Sequence, residues 1–250
     1  MSKADRIAIL QDTLSKVSSE HYSTNSTIMD YTGCDLPTNP GSPIIEVTSE
    51  KTQDAILGCT DKTTILNFAS GTRPGGGARN GVQAQEEDLC LCSDLLLHLE
   101  AHPSLYQSNR APNAPPEYLD WMIVSPEITF IKDGQYQPTP PMQVSVITYP
   151  APNTRIARCR PGTVLERRAV HIIDAAVAMS TDTLVLGAWG CGVFGNNPKS
   201  VALAFKKAIS SHSGSIKKVI FAIYGNDNNF NAFRTVFGDG KDTGVNKGRK

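Results

Sequence analysis

Between Arg73 and Cys90 the chain reads RPGGGARNGVQAQEEDLC, with the last of three consecutive glycines nine residues ahead of two adjacent glutamates. Each glycine adds chain entropy that folding must remove, so such a run implies that something comes very close to the backbone there. A strand ending in NFAS runs into these glycines, and a helix start follows. Amide N–H groups without side chains can then cradle an anion. The loop lacks the Lys-Ser or Lys-Thr pair of a Walker A motif. A tight turn requiring positive φ is the alternative, but three glycines exceed what one turn needs. Glu86 and Glu87 diverge by about 100° as neighbours on a helix, so they cannot face each other as the carboxylates of an ordinary glycosidase do. One can still act as an acid while the other holds a hydroxyl. The bland alternative is that carboxylates favour the first turn of any helix.

A second glycine cluster, GAWGCGVFGN, spans Gly187 to Asn196 and also lies between a strand and a helix. Gly190, Gly192 and Gly195 fit G-x-G-x-x-G, but a dinucleotide fold wants this motif on its first strand and an acidic residue roughly 20 positions on. Here the motif comes late, and the next strand ends in tyrosine, glycine and asparagine. The pyrophosphate part of the inference survives; the hydride-transfer part does not. No G-x-S-x-G elbow supports a nucleophilic triad. His171 lies in an apolar helix and reads as a core residue. Arg155, Arg158, Arg160, Arg167 and Arg168 read as a solvated face, with contact to further phosphates of a polymeric ligand as the alternative. Cys34, Cys59, Cys90, Cys92, Cys159 and Cys191 show no C-x-x-C pair and read as reduced, buried thiols.

These residues must be positioned by a framework of alternating strands and helices. Apolar, β-branched runs at 44–48, 63–68, 144–148, 183–186 and 218–224 predict strands, and segments 5–17, 53–57, 85–100, 163–179 and 199–211 predict helices. Alternation of this kind predicts an α/β protein with a largely parallel or mixed sheet covered on both faces. The proline-rich segment 109–118 predicts a surface loop leading into a short strand pair around 122–124 and 128–131. The end of the chain predicts a disordered basic tail. With 24 basic and 24 acidic residues in 250, there is no global field to draw the chain onto nucleic acid or an anionic membrane. No stretch approaches the roughly 20 apolar residues of a membrane helix, and an intracellular, soluble, one-domain protein is expected.

GGGARNGVQAQEE resembles the signature of poly(ADP-ribose) glycohydrolases, and NFASGTRPGGG the form found in their compact bacterial and fungal-type members. The order of IIEVTSEKT, VITYPAPN, GAWGCGVFGN and IFAIYGND extends the resemblance over nearly the whole chain. It implies a macrodomain-like three-layer αβα fold with a central mixed sheet at 44–238, an N-terminal helical extension at 1–43 and a tail at 239–250. It implies Glu87 as the catalytic residue and Glu86 as a hydrogen-bond partner of the ribose. Gly75, Gly76 and Gly77 would border the distal ribose and phosphate. Gly190, Cys191, Gly192, Val193 and Phe194 would form the opposite wall. Asn67, Gln85 and Tyr224 complete the expected ligand contacts, Tyr224 at the adenine.

The implied reaction is hydrolysis of the ribose–ribose O-glycosidic bond of poly(ADP-ribose) to release ADP-ribose, with no cofactor or metal. The implied partners are the polymer or ADP-ribosylated proteins, met by a monomer in the cytoplasm or nucleus, with no membrane or sequence-specific nucleic acid. An ADP-ribose reader, or a hydrolase of another ADP-ribosyl linkage, is the alternative. One physical tension is visible in advance. A helix N-terminus favours an ionised carboxylate, whereas an acid catalyst must hold its proton, and burial and a neighbouring carboxylate push that way.

Overall fold

A computed structural model describes residues 1–17, 25–156 and 161–238. The sheet contains seven strands: β1 (Thr27–Asp30), β2 (Ile44–Thr48), β3 (Thr63–Phe68), β4 (Trp121–Lys132), β5 (Pro138–Tyr149), β6 (Thr183–Leu186) and β7 (Lys218–Ala222). Their spatial order is β1-β4-β5-β3-β6-β7-β2. The pairs β5–β3, β3–β6, β6–β7 and β7–β2 are parallel, while β4 runs antiparallel to β5 and β1 antiparallel to β4.

Alternation along the strands divides the core in two. Leu66, Ile147, Leu184, Leu186, Val219 and Phe221 face one layer, against α6 (Pro161–Ala178), α7 (Pro198–His212) and α8 (Asp227–Phe237). Ile65, Val146, Val185 and Ile220 face the other, against α1 (Lys3–Val17), α3 (Gln85–Cys92), α4 (Leu95–Glu100) and α5 (Pro103–Asn109). The short α2 (Thr52–Ala55) follows β2 and continues into a 3-10 turn. This is the expected three-layer αβα arrangement around a mixed sheet. The helix α1 backs the site: Thr13 Oγ1 donates to Leu91 O at 2.7 Å, and Arg6 Nε donates to Gly81 O at 2.7 Å.

Several elements differ from the sequence expectation for identifiable reasons. The single helix expected over 85–100 is broken at Ser93, which takes an extended conformation and bridges to Phe130 of β4. Thr129 N donates to Asp94 Oδ1 at 2.9 Å, so a neighbouring strand captures the two residues between α3 and α4. The strand pair expected around 122–131 is one strand of 12 residues, β4, with a register shift between Ser125 and Ile128. Pro126 sits at that irregularity, where its missing N–H costs no ladder bond. Strand β7 stops at Ala222, so Tyr224 lies beyond it, and Asn109 belongs to α5 rather than to a surface loop. The tail expected at 239–250 lies outside the described residues, as do Arg158, Cys159 and Arg160.

Arg168 corrects the reading of its cluster as a solvated face. It is fully buried, donating to Asp120 Oδ1 at 2.9 Å, Pro150 O at 3.0 Å and Tyr118 O at 2.8 Å. Arg167 Nε joins it on Asp120 Oδ2 at 2.8 Å. Cys34 is exposed, against the expectation of buried thiols, whereas Cys90 and Cys92 are buried. His171 is a core residue, stacked on Tyr31 and 3.1 Å from Tyr149 Oη, and burial pushes its pKa down to about 4.

Candidate active site

The first turn of α3 has no side-chain N-cap, and its residues instead reach outward to other segments. Gln85 Oε1 accepts from Phe68 N at 2.8 Å, while its Nε2 donates to Leu66 O at 2.8 Å and Thr52 Oγ1 at 3.2 Å. Glu86 Oε2 accepts from Ser70 N at 2.7 Å, and its Oε1 accepts from Asn67 Nδ2 at 3.3 Å. Glu87 Oε1 accepts from Gly77 N at 2.8 Å. Asp88 Oδ1 accepts from Tyr136 Oη at 2.8 Å, and its Oδ2 pairs with Lys51 Nζ at 3.0 Å. The helix start is thereby fixed to the end of β3, the glycine loop, α2 and the β4–β5 hairpin.

The glycines answer the question their number poses. Gly75 and Gly76 have φ of +64° and +58°, in the left-handed region. A Cβ at Gly76 would lie 2.5 Å from Glu87 Oε1 and 3.0 Å from Glu86 Oε2; one at Gly75 would meet Leu96, and one at Gly77 would meet Val82. The close approach is that of the protein's own carboxylates and core, so the loop can wrap the two acids.

Both carboxylates are buried, Glu86 at 3% exposure and Glu87 at 6%. Burial is the largest influence on Glu86 and raises its pKa to about 8. The adjacent Glu87 pushes in the same direction, against the amides of Ser70 and Gly75 and the Asn67 side chain. For Glu86, burial outweighs the hydrogen bonds that favour its ionised form.

The opposite wall is the loop after β6. Gly190 and Gly195 have φ of +71° and +72°. Asn196 Nδ2 holds the loop closed, donating to Pro152 O at 2.8 Å and Gly190 O at 3.1 Å, and Thr154 Oγ1 donates to Phe194 O at 2.7 Å. Between the two loops, at the carboxyl ends of β2, β3, β6 and β7, lies a cleft of about 690 Å³. Carboxyl strand ends are where open α/β sheets place their ligands.

Of the residues singled out in the sequence, Gly76, Gly77, Gln85, Glu86, Glu87, Gly190, Gly192, Val193, Phe194 and Tyr224 line this cleft. Asn67, Gly75 and Cys191 are not in its lining. Asn67 is fully buried beneath Glu86, bonding it and Thr148 Oγ1, with its own Oδ1 unpartnered. Gly75 packs on Leu96, and Cys191 turns toward Trp189 O. Val193 and Tyr224 are 69% and 65% exposed, at the lip of the cleft. Sequence reasoning did not single out Lys51, Thr52, Phe68, Ser70, Arg73 and Asp88, which also line it. Asp88 continues the acidic first turn and could have been noticed; Lys51 carried no local signal. Among the described residues no three His, Cys, Asp or Glu side chains converge as metal ligands, and no helix is long and apolar enough to cross a membrane.

Fold and cleft together define a macrodomain-like α/β protein, and comparison with known proteins gives the family. The family described as microbial-type PARG, catalytic domain, matches residues 5–133, more than half of the chain. The poly(ADP-ribose) glycohydrolase of Thermomonospora curvata is 30% identical, superposes with a TM-score of 0.82, and is matched over 94% of this chain and 100% of that one. The same enzyme bound to the inhibitor ADP-HPD gives 30% identity and a TM-score of 0.81 over 93% and 99% of the two chains. The poly(ADP-ribose) glycohydrolase of Deinococcus radiodurans in complex with ADP-ribose is 32% identical, with a TM-score of 0.72 over 94% and 90%. Comparison with curated protein sequences returned no match. The chain belongs to the microbial-type poly(ADP-ribose) glycohydrolase family.

Proposed function

We propose that this protein hydrolyses the ribose–ribose O-glycosidic bond of poly(ADP-ribose), releasing ADP-ribose, with Glu87 as general acid and base. The observation that carries this reading is the placement of Glu86 and Glu87 on the first turn of α3, against Gly76 and Gly77 and within the cleft. The pyrophosphate of the substrate lies along the loop from Gly190 to Phe194, the adenine toward Tyr224, and the distal ribose between Phe194 and the two acids. Glu87 gives its proton to the glycosidic oxygen as the bond from that oxygen to the anomeric carbon breaks. The leaving ribose departs as an alcohol, and an oxocarbenium-like centre forms. The Glu87 carboxylate then takes a proton from water as the water oxygen bonds to the anomeric carbon, which returns the acid to its starting state.

Glu86 holds a ribose hydroxyl, and the substrate's own pyrophosphate offsets positive charge at the reacting centre. Burial of both acids favours these interactions, because a low-dielectric site strengthens each of them. A monomer suffices for this reaction, since one chain carries every residue assigned to it.

Release of ADP-ribose from poly(ADP-ribose) by wild type and Glu87→Gln tests the reading. Wild type is expected to hydrolyse the polymer, and the variant to lose at least about 100-fold in kcat while still binding ADP-ribose. Binding of ADP-ribose by both without hydrolysis by either would turn the assignment to a reader or to another ADP-ribosyl linkage.

A further inference from the structure

Lys51 lies in the cleft wall, yet its ammonium is not free for a phosphate. Its three donors meet Gly134 O at 2.9 Å, Asp88 Oδ2 at 3.0 Å and Tyr136 Oη at 3.4 Å. The same ammonium stands 4.8 Å from the centre of the Tyr136 ring and 5.5 Å from the centre of the Tyr224 ring. The lysine side chain is only 14% exposed and Asp88 11%, so the cluster is largely withdrawn from water, where such cation–ring contacts are strongest. Tyr224 itself is 65% exposed and projects beyond the end of β7.

The tip of the β4–β5 hairpin closes the cluster from behind. Gly134 N donates to Asp54 Oδ1 at 2.7 Å, and a Cβ at Gly134 would collide with that carboxylate. Lys51 immediately precedes α2, and Asp54 lies within it, so both sides of the Gly134 peptide are held by one short segment.

We infer that Lys51 is a positioning residue that orients the Tyr224 ring for stacking on the base of the bound nucleotide and ties that platform, through Asp88, to the helix bearing the two acids. This rests on the proposed binding of ADP-ribose in the cleft. One end of the ligand is then set in register with the other before it binds, which lowers the ordering cost of association.

A double-mutant cycle on the full chain tests the inference, with ADP-ribose titrated calorimetrically into wild type, Lys51→Met, Tyr224→Ala and the double variant. Lys51→Met is expected to weaken binding about tenfold. In the Tyr224→Ala background the same change should cost less than about twofold, because residues acting through one another are not additive. With polymer as substrate, the loss should fall mainly on KM.

Equal effects in the two backgrounds, or wild-type affinity in Lys51→Met, would overturn the inference. If Lys51→Met does not fold, Lys51→Arg and Tyr136→Phe replace it in the same cycle, and additivity with Tyr224→Ala again overturns it. Wild type that binds ADP-ribose but leaves polymer intact sinks the hydrolase reading and leaves the cycle to decide on Lys51. Wild type that binds no ADP-ribose sinks both.

Discussion

Glu86 is held by three contacts that would suit an anion, from the amides of Ser70 and Gly75 and the Asn67 side chain, yet its pKa rises to about 8 because burial outweighs them. The consequence for stability has a definite sign. Below the ordinary value of 4.5, folded and unfolded chains both carry the proton. As pH rises from there to about 8, the unfolded chain gives up the proton and the folded chain keeps it, so stability falls across that window and levels off above it. Ionisation of Glu86 also places a negative charge in a cleft proposed to take a pyrophosphate. ADP-ribose affinity is therefore expected to fall as pH passes through about 8 in wild type and to stay flat in Glu86→Gln. Titrations at several pH values, paired with urea unfolding, check both effects. A wild-type profile no steeper than that of Glu86→Gln would show that another group sets the dependence. The Gln-Glu-Glu run and its glycines were legible in the sequence because their chemistry is local. That Gly76 makes room for the acids themselves was not, since it depends on how the loop folds back.

The elements around the site explain how an eight-residue helix without a side-chain cap can hold two buried acids in place. Gln85 carries most of that task at its N-terminus, because one side chain satisfies Phe68 N and Leu66 O at the end of β3. Gln85→Ala leaves those main-chain groups without their partner, at a cost of roughly 1–3 kcal/mol. The change should also lower kcat, since the helix start that carries Glu86 and Glu87 loses its link to the strand. Urea midpoints and steady-state rates on polymer measure the two effects; a stability loss with unchanged kcat would mean that the remaining ties suffice to position the acids. Helical period predicted one helix from 85 to 100 because Leu89, Cys92, Leu96 and Leu99 do share a face. What interrupts it is tertiary: β4 offers Phe130 and Thr129 as partners to Ser93 and Asp94, and no window of local sequence contains that offer. Strand β4 differs from the expected strand pair for the converse reason, since Pro126 occupies an irregularity within one continuous strand.

At the scale of the molecule, the sheet separates two apolar cores, and the alternation of strands and helices in the sequence was sufficient to anticipate that arrangement. The arginine cluster was not legible in the same way, because sequence shows charge and not the carbonyls waiting for it. Arg168 reaches from α6 to the turn before β4 and to Pro150 after β5, spanning three separate segments of chain with one guanidinium. Removing it leaves Asp120 paired with Arg167 alone and takes a donor from the carbonyls of Tyr118, Leu119 and Pro150, at a cost of roughly 1–3 kcal/mol for each buried acceptor left unsatisfied. Arg168→Met preserves much of the volume and isolates this loss. The pH dependence provides a second signature. Burial alone would raise the pKa of Asp120, but Arg167 and Arg168 hold it below its ordinary 3.8. Their contribution is present above 3.8 and is lost as pH falls through the lower folded value. Arg168→Met should therefore unfold at lower urea than wild type near neutrality, and the gap should narrow under acid conditions, where Asp120 takes up a proton. Equal midpoints at neutral pH, or a gap that persists unchanged into acid, would mean that the guanidinium stabilises this junction by packing on the Tyr149 ring, 5.2 Å away, rather than by its charge.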